Sequence, residues 1–262
     1  MRNPYENSNI YERNKISLKA IILILLVFAL IASVWQNYDI ISMMNKKSHY
    51  DLYIKQLEQL KDRQGLSALK AKNSDFIAWI TIEDVGISMP IVKTDSVDKE
   101  SYYLTHDFDK KENVLGSPYQ KYGCDIENTT NTTFVGHSSY NIGMFGNVVN
   151  QSIFGSLNDY LNYDSKFNYK IKVETLNGTY TYEVFSVFKF NISADYDKEY
   201  LIYTATDLSH EVDFNNFVNT AQTLSKIKFG RNIEMGDKFL TLFTCSTDST
   251  HYRTMVVARL VK

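Results

Sequence analysis

The sequence predicts a mainly β domain carried on an N-terminal membrane helix. Tyr and Phe are abundant, with 19 and 15 residues, whereas Pro occurs only 3 times in the 262-residue chain. Aromatic and β-branched residues favour sheets, so a β-dominated core is expected. The second observation is an apolar stretch near the N-terminus that is long enough to cross a bilayer.

The charge distribution argues against a nucleic-acid partner. The formal net charge is −2, and Lys and Arg are interleaved with acidic residues rather than gathered in one region. Nucleic-acid binding draws mainly on basic patches. We therefore expect no nucleic-acid function, and the chain length allows one or two domains.

The apolar stretch predicts a transmembrane anchor over residues 16–36. It includes the run from Ala20 to Trp35 and carries one charge, Lys19, close to its start. A helix of about 20 residues spans the hydrocarbon core. A cleaved signal peptide and a buried core helix are the alternatives, but the apolar part of a signal peptide is usually only ~7–15 residues long.

Charges on either side of the anchor predict its orientation. Cationic residues precede the apolar run, whereas uncharged and acidic residues follow it. Because the positive flank of a span stays in the cytoplasm, residues 1–15 are expected inside and the rest of the chain outside. The cationic residues are Arg2, Arg13, Lys15 and Lys19.

A helical stalk is predicted next, over residues 37–74. Ile54, Leu57 and Leu60 recur at helical spacing with charged residues between them. This helix is either a spacer that lifts the domain off the membrane or a helix packed on the domain's flank. Gly65 is expected to break it. The folded domain is expected over residues 75–262.

Seven strands and two helices are predicted in that domain. Asn177-Gly178 has the composition of a hairpin turn. One helix is expected over Val212–Ile227, capped by Asp213, and a short one over Gly146–Tyr160. The predicted strands are Phe76–Ile82, Ile87–Val92, Thr132–Val135, Tyr169–Glu174, Thr179–Asn191, Phe239–Phe243 and Thr254–Val261.

Cys245 is the candidate nucleophile. It follows an apolar strand directly, and a strand that ends in this way delivers a side chain to the rim of a pocket. A thiol at such a place is reactive when a proton acceptor and a cation are within reach. Arg253 opens the next strand, so a strand–turn–strand unit returns it to the side of Cys245. An inert buried thiol is the alternative.

His137 is the candidate acid–base partner. It also ends a strand, and Gly136 before it lets the backbone pass close to a neighbour. A hydrogen-bonded structural histidine is the alternative. The other histidines fit less well, because they lie in the stalk helix, in loops or in a turn: His49, His106, His210 and His251, of which His251 is the rival, between Cys245 and Arg253.

The second cysteine, Cys124, lies in a polar, turn-like stretch. A disulfide with Cys245 stays open in an exported domain, although a loop thiol and a strand-end thiol this far apart are weak evidence for one. No metal site is expected, since neither cysteine has a partner at C-x-x-C or H-x-x-x-H spacing. No cofactor is expected either.

The segment Thr241-Leu242-Phe243-Thr244-Cys245 resembles the TLxTC signature of sortases, the cysteine transpeptidases that attach proteins to Gram-positive cell walls. His137 and Arg253 stand in the order in which sortases carry these residues, and the likeness covers the whole predicted domain. Within the family the sequence is most similar to class B. That similarity rests on Asp75–Ile80, Tyr102–Phe108, Gly143–Gly146 and the helix at Val212–Ile227.

The resemblance implies a closed eight-stranded β-barrel with peripheral helices. It also implies cleavage of a surface protein's C-terminal sorting motif after Thr, through a Cys245 thioester, and transfer to an amine of peptidoglycan or its lipid-linked precursor. His137 would act as acid and base, and Arg253 would support the oxyanion or the substrate backbone. The implied location is a single-pass membrane protein with an extracellular catalytic domain.

Two positions depart from the class B pattern. Phe243 stands where class B sortases commonly carry a small polar residue, and Glu100 stands where some relatives carry Asn. Both lie near the substrate groove by analogy. Leu104 and Thr244 match the family and, with Phe243, are the expected substrate-binding residues. The stretch Tyr196–Thr206 is also expected to shape the groove.

Three alternatives stay open. One is an enzyme of the same fold that polymerises pilin subunits. Another is a non-catalytic, membrane-tethered binding β-domain, which would keep its activity without Cys245. A papain-like hydrolase is disfavoured because its cysteine precedes its histidine, whereas His137 comes first here.

Overall fold

Ten strands form within the described residues, and eight of them close into a barrel. The structure is a computed structural model that describes residues 18–142, 147–150, 153–191, 201–245 and 251–261, with the backbone alone for residues 36, 39, 40, 43, 139–142, 147–150 and 245. The strands are β1 Phe76–Ile82, β2 Ile87–Val92, β3 Tyr119–Gln120, β4 Asn131–Gly136, β5 Ser139–Ile142, β6 Asn147–Asn150, β7 Lys170–Thr175, β8 Thr179–Asn191, β9 Phe239–Cys245 and β10 Tyr252–Leu260.

The barrel closes in the order β1-β2-β3-β4-β9-β10-β8-β7. Most neighbouring strands are antiparallel, but β4 runs parallel to β9 and β2 runs parallel to β3. β5 and β6 pair with each other in a separate two-stranded sheet. The prediction of a closed eight-stranded barrel is confirmed.

Helices lie on the outside of the barrel. The α-helices are α1 Leu18–Gln64, α2 Leu66–Lys72 and α3 Glu211–Leu224. Short 3-10 helices occupy Glu83–Val85, Val97–Leu104 and Gly155–Leu161. The last two of these border the edge of the barrel where the candidate catalytic residues lie.

Alternation along the strands divides the apolar side chains between two cores. Leu240 and Leu242 of β9 belong to the interior core, together with Phe134 of β4 and Val256 of β10. Phe239, on the opposite face of β9, belongs to an outer core against α3. Each core removes large apolar surfaces from water, and β9 contributes to both.

The helix α1 combines an exposed apolar half with a half that packs on the barrel. Its first part, Leu18–Trp35, has a mean hydropathy of 2.7 and is long and apolar enough to cross a membrane. In its second part Tyr50, Ile54 and Leu57 are buried against the outside of the barrel. The part of the stalk from Tyr50 onward packs on the flank of the barrel, which is one of the two roles predicted for it. The predicted cytoplasmic segment, residues 1–15, lies outside the described residues.

The predicted elements are largely present. All seven predicted strands form, most with bounds shifted by one or two residues. Gly65 separates α1 from α2 with a φ of 80°, as expected of a helix-breaking glycine. The predicted turn at Asn177-Gly178 joins β7 to β8, and the N–H of Thr175 donates to the carbonyl of Gly178 at 2.8 Å.

Two predictions about helices are wrong. The segment predicted as one helix over Gly146–Tyr160 contains β6 and a 3-10 helix instead. Two successive valines in β6 pair with β5, and this cross-strand partner outweighs the local helical pattern. Asp213 does not cap α3, because the helix begins at Glu211 with His210 as the N-cap residue, and Asp213 lies inside the first turn.

We predict that Leu57→Ala lowers the free energy of unfolding by about 2–5 kcal/mol, because it opens a cavity between α1 and the barrel. Leu57 is only 2% exposed, whereas Leu52 on the same helix is 56% exposed. Leu52→Ala is therefore the matched control, with an expected change within about 0.5 kcal/mol. Denaturant unfolding of the full chain in detergent measures both. Equal stability of the two variants would contradict packing of α1 on the barrel.

Candidate functional site

Three neighbouring strands bring His137, Cys245 and Arg253 to one edge of the barrel. In the parallel pair β4–β9, Gly136 lies opposite Thr244. The residues that follow them, His137 and Cys245, therefore lie at the same level. In the antiparallel pair β9–β10, Arg253 lies opposite Cys245. The three predicted residues therefore occupy adjacent backbone positions.

The ring of His137 is half-buried and held by a backbone carbonyl. Its Nε2 lies 2.8 Å from the carbonyl oxygen of Leu104. Because a carbonyl oxygen only accepts hydrogen bonds, Nε2 carries the proton, and Nδ1 holds the lone pair in the neutral ring. The ring thus presents a defined acid–base atom.

Close packing by a second segment clamps the backbone around His137. A Cβ at Gly136 would lie 2.9 Å from the ring of Phe154, so only glycine fits there without displacing that ring. Gly155 packs directly on the carbonyl of Ser138. The N–H of Phe154 donates to the carbonyl of His137 at 2.8 Å. Phe154 and Gly155 therefore hold the backbone at His137 and at the residue on each side of it.

Burial lowers the pKa of His137 below its ordinary value of 6.5. The hydrogen bond to Leu104 acts in the opposite sense, since it favours the protonated ring, but it does not overcome the burial. The folded chain consequently favours neutral His137 near neutral pH. The resulting stability is present above the unfolded pKa and is lost as pH falls through the folded one.

Arg253 supplies a permanent positive charge beside position 245. The side chain is half-buried where β10 begins, between β8 and β9. Its Nη1 donates to the carbonyl of Tyr252 at 3.0 Å. A guanidinium stays charged at any relevant pH and offers several donors in a fixed geometry. It is suited to a thiolate, an oxyanion or a peptide carbonyl.

Aromatic side chains border the same edge. Phe243 lies two residues before Cys245 in β9, so the two positions share one face of the strand. The ring centre of Phe243 is 4.8 Å from that of Tyr203 and 6.3 Å from that of Phe190. The Nζ of Lys121 lies 5.3 Å from the centre of the Tyr203 ring. We call Phe243, Tyr203 and Phe190 the aromatic wall.

The other predicted groove residues differ in their exposure. Leu104 is half-buried and contributes the carbonyl that holds His137. Thr244 is 1% exposed, and its hydroxyl has no hydrogen-bond partner among the described residues. Glu100 accepts a hydrogen bond from the N–H of Tyr122 at 3.2 Å. The groove stretch is described only from Leu201 onward, and Gly143–Gly146 lies outside the described residues.

Strand register distinguishes His137 from the other histidines. It is the described histidine that directly continues a strand paired with β9. The ring of His106, by contrast, stacks on Tyr102 with 3.8 Å between ring centres. The remaining histidines are His49 on α1, His210 at the N-cap of α3, and the exposed His251 just before β10.

The second cysteine is buried and chemically quiet. Cys124 is a free thiol, so the disulfide that the sequence left open is not formed. Burial raises the pKa of Cys124, which keeps the sulfur protonated and poorly nucleophilic. Among the described residues no group of His, Cys, Asp and Glu is arranged to hold a metal ion. The cysteine, histidine and arginine at adjacent strand positions are the residue types of thiol-based acyl transfer through a covalent intermediate.

Sequence reasoning missed two groups around this site. The hydrogen-bond acceptor for Nε2–H of His137 is the backbone carbonyl of Leu104, 33 residues away in the chain. No local sequence pattern marks such a partner. The partners of Phe243 in the aromatic wall are Phe190 of β8, which was not predicted, and Tyr203, which lies in the predicted groove stretch but was not singled out there. Their aromatic character is visible in the sequence, but their proximity to Phe243 is not.

This chain is similar to known sortases in both sequence and fold. The sequence matches the Sortase domain family over residues 80–261. It is 25% identical to sortase B of Staphylococcus aureus (strain NCTC 8325 / PS 47) over 204 residues, which is 76% of each chain. The fold is similar to the Staphylococcus aureus sortase B–substrate complex, with a TM-score of 0.68, 23% identity, and coverage of 85% of this chain and 99% of that one. It is also similar to sortase B complexed with triglycine, with a TM-score of 0.66, 24% identity, and coverage of 84% and 98%.

We predict that the ring of His137 titrates below 6.5 in the folded chain, because burial disfavours the imidazolium. NMR of the full chain, labelled in its histidines and recorded over a pH series, measures this value. The spectrum of His137→Gln identifies the signal, and unfolding in guanidinium should return the pKa to its ordinary value. A folded-state pKa at or above the ordinary one would show that burial does not control this ring.

Proposed function

Because the chain belongs to the sortase family, we propose that it is a class B-like cysteine transpeptidase that attaches surface proteins to the cell wall. In this proposal it cleaves a sorting motif after Thr and carries the acyl group as a thioester of Cys245. The acceptor is an amine of peptidoglycan or of its lipid-linked precursor. His137, Cys245 and Arg253 are the proposed catalytic residues.

One observation carries the proposal: the register of β4, β9 and β10. It aligns Gly136 with Thr244 and Cys245 with Arg253. A nucleophile, an acid–base group and a fixed cation on three adjacent strands need no long loop to bring them together. Such a preorganised arrangement lowers the cost of orienting groups in the transition state.

The first half of the proposed reaction forms the thioester. The Cys245 thiolate attacks the carbonyl carbon of the motif's Thr and gives a tetrahedral oxyanion. The carbon–nitrogen bond then breaks, and the imidazolium of His137 donates its Nδ1 proton to the departing amine. The products of this half-reaction are a thioester on Cys245 and a neutral His137.

The second half transfers the acyl group. The acceptor amine attacks the thioester carbonyl and loses its proton to the neutral ring of His137. The carbon–sulfur bond breaks, a new amide forms, and the thiolate and imidazolium are restored. With free pKa values near ~8.5 for Cys and ~6.5 for His, the neutral pair dominates at pH 7. Burial of His137 increases that preference, so the reactive ion pair is a minor species.

Arg253 acts on the oxygen side of the reaction in this proposal. Its guanidinium donates to the oxyanion or holds a backbone carbonyl of the peptide. A positive charge at this position favours the Cys245 thiolate and disfavours the His137 imidazolium. Its main benefit therefore falls on the oxyanion, which carries charge only during the reaction.

The proposed partners are a sorting-signal peptide and a small amine. Their support comes from similar proteins, since one related structure is a sortase B–substrate complex and another is a complex with triglycine. Leu104, Phe243 and Thr244 are the proposed groove residues. The half-buried aromatic wall next to position 245 makes an apolar peptide side chain the expected neighbour of Phe243.

The proposed location is the outer face of the cell membrane of a Gram-positive bacterium. The apolar half of α1 supports an anchor by its length and hydropathy. Positive charges before the span favour a cytoplasmic N-terminus and an extracellular barrel. In this orientation the enzyme and a membrane-attached substrate share one surface.

We predict that Cys245→Ala abolishes peptide cleavage and transfer, with a loss of more than about 1,000-fold, because no other group forms the acyl-enzyme. Cys124→Ala is the matched control and keeps its activity within about twofold, since its thiol is buried and protonated. The full chain in detergent is incubated with a sorting-peptide library, with and without triglycine. Mass spectrometry detects the acyl-enzyme and the transfer product.

The same assay separates the alternatives. If no peptide acylates the wild-type chain, the transpeptidase proposal fails. Peptide binding that survives in Cys245→Ala without any cleavage by the wild type would indicate a non-catalytic binding domain. Transfer to a pilin protein amine but not to triglycine would indicate a pilin-polymerising enzyme.

We predict that Phe243→Ser changes peptide preference. Loss of the half-buried ring removes apolar contact beside Cys245, so kcat/KM for peptides with an apolar residue close to the Thr falls by about 10-fold or more. Peptides with small polar residues there change less. Tyr163→Ser removes an aromatic ring that is 67% exposed and outside the aromatic wall, and serves as the control. An unchanged library profile for Phe243→Ser would exclude Phe243 from the peptide groove.

A further inference from the structure

Two alternate carbonyls at the end of the 3-10 helix Val97–Leu104 accept hydrogen bonds from one short turn. The carbonyl of Tyr103 accepts a hydrogen bond from the N–H of Ser117 at 2.8 Å. The carbonyl of Thr105 accepts one from the N–H of Asn113, also at 2.8 Å. The turn that supplies both donors, residues 113–117, is called the bracing turn below.

The carbonyl between these two belongs to Leu104. It accepts the hydrogen bond from Nε2–H of His137. Its neighbours on both sides are tied to the bracing turn, so its direction is determined by the same turn. The hydrogen bond decides which ring nitrogen holds the proton. The direction of the Leu104 carbonyl therefore determines which ring nitrogen of His137 is free to transfer a proton.

We propose that Gly116, in the bracing turn, is a positioning residue that aims the Leu104 carbonyl at His137 and so makes Nδ1 the proton-transfer atom. The proposal rests on the proposed function, because His137 matters only if proton transfer does. It concerns a residue that does not touch the substrate and acts through another group.

The geometry of Gly116 carries this proposal. Gly116 is buried, and its φ of +66° lies in the left-handed region, where glycine is unstrained. A Cβ there would lie 2.7 Å from the carbonyl oxygen and 2.9 Å from the carbonyl carbon of Leu104, and nearer still to the Tyr103 oxygen. A carbon–oxygen contact of about 3.3 Å is already close. Any side chain at position 116 must push these carbonyls away.

A titratable residue and a charged residue lie at the level of His137 on the adjacent strands, Cys245 on β9 and Arg253 on β10. The segment that covers it from the other side contributes Phe154 and a glycine, which carry no charge. A change in the Leu104 hydrogen bond is thus expected to be visible in the pH dependence of the reaction.

A purely structural turn is the competing explanation, and the chain offers a matched control for it. Gly86 has the same φ of +66°, and its N–H donates to the carbonyl three residues earlier, as that of Gly116 does. A Cβ at Gly86 would meet no described atom within 4 Å. Alanine at either position carries the same left-handed strain, because both glycines have the same φ. Only alanine at 116 displaces the Leu104 carbonyl.

The first experiment compares Gly116→Ala with Gly86→Ala in the full chain in detergent. We expect kcat to fall at least 10-fold in Gly116→Ala with little change in KM, and both values to stay within twofold in Gly86→Ala. Loss of the hydrogen bond leaves burial unopposed, so the acid limb of kcat/KM moves to lower pH in Gly116→Ala. A folded Gly116→Ala that matches Gly86→Ala in kcat and in pH profile would overturn the proposal.

The second experiment does not depend on activity. The ¹⁵N shifts of the His137 ring, assigned by comparison with His137→Gln, report the tautomer. We expect the Nε2–H form in the wild-type chain and in Gly86→Ala, and a mixture of both tautomers in Gly116→Ala. An Nδ1–H ring in the wild type would refute the proposal, whatever the enzyme's activity.

A milder variant covers the case in which Gly116→Ala does not fold. The Oδ1 of Asn113 accepts the N–H of Leu115 at 3.0 Å, and this contact shapes the bracing turn. Asn113→Ala loosens the turn without adding atoms, and we expect the same changes in tautomer and acid limb, of smaller size. A wild-type tautomer and pH profile in Asn113→Ala would count against the proposal. If the wild type transfers nothing, the proposed function fails, while the tautomer still decides the role of Gly116.

Discussion

The parallel pairing of β4 with β9 is the constraint on which the rest of the site depends. Parallel strands end at the same edge, so one pairing aligns His137 with Cys245. Buried polar groups hold that register: Thr241 of β9 donates to Oδ1 of Asn131 at 2.9 Å, and the Asn131 amide donates to the carbonyl of Ala205 at 2.7 Å. A slip by one residue would break these bonds, leave buried polar atoms unpaired, and turn each core side chain to the wrong face.

The two faces of β9 explain how an aromatic residue comes to lie beside the candidate nucleophile. Leu240 and Leu242 fill the barrel, while Phe239 continues the outer core toward α3. Phe243 packs against both cores and is only half-buried. The aromatic wall is thus the exposed end of the outer core. The packing that holds α3 on the barrel also holds Phe243 in place, so the aromatic wall needs no other support.

Local pattern in the sequence was sufficient for much of the secondary structure. Strands such as β1 and β8 are long and apolar or alternating, and their bounds match the predicted ones. β3 has two residues, and β6 owes its conformation to β5, so neither is marked by composition. Barrel closure and strand order depend on pairings between distant segments. Closure was predicted through family resemblance alone, and the strand order was not predicted.

The candidate site divides in the same way. His137, Cys245 and Arg253 each end or open a strand, which the sequence indicates directly. Their common level depends on register, which is a property of the folded sheet. The hydrogen bond from His137 to Leu104 depends on the course of a backbone far away in the chain. Carbonyls occur at every residue, so nothing in the amino-acid types distinguishes this one.

The continuity of α1 has a mechanical consequence. The helix runs without a break from Trp35, at the end of the apolar half, to Tyr50, where contact with the barrel core begins. At 1.5 Å per residue these fifteen residues set a rigid spacing of about 22 Å. With the apolar half in a bilayer as proposed, a rigid helix and not a flexible linker connects the barrel to the membrane. The edge that carries the proposed catalytic residues would then stay at one distance from the membrane. The proposed donor and acceptor would meet it by lateral diffusion in the membrane, and only groups that reach this distance would take part.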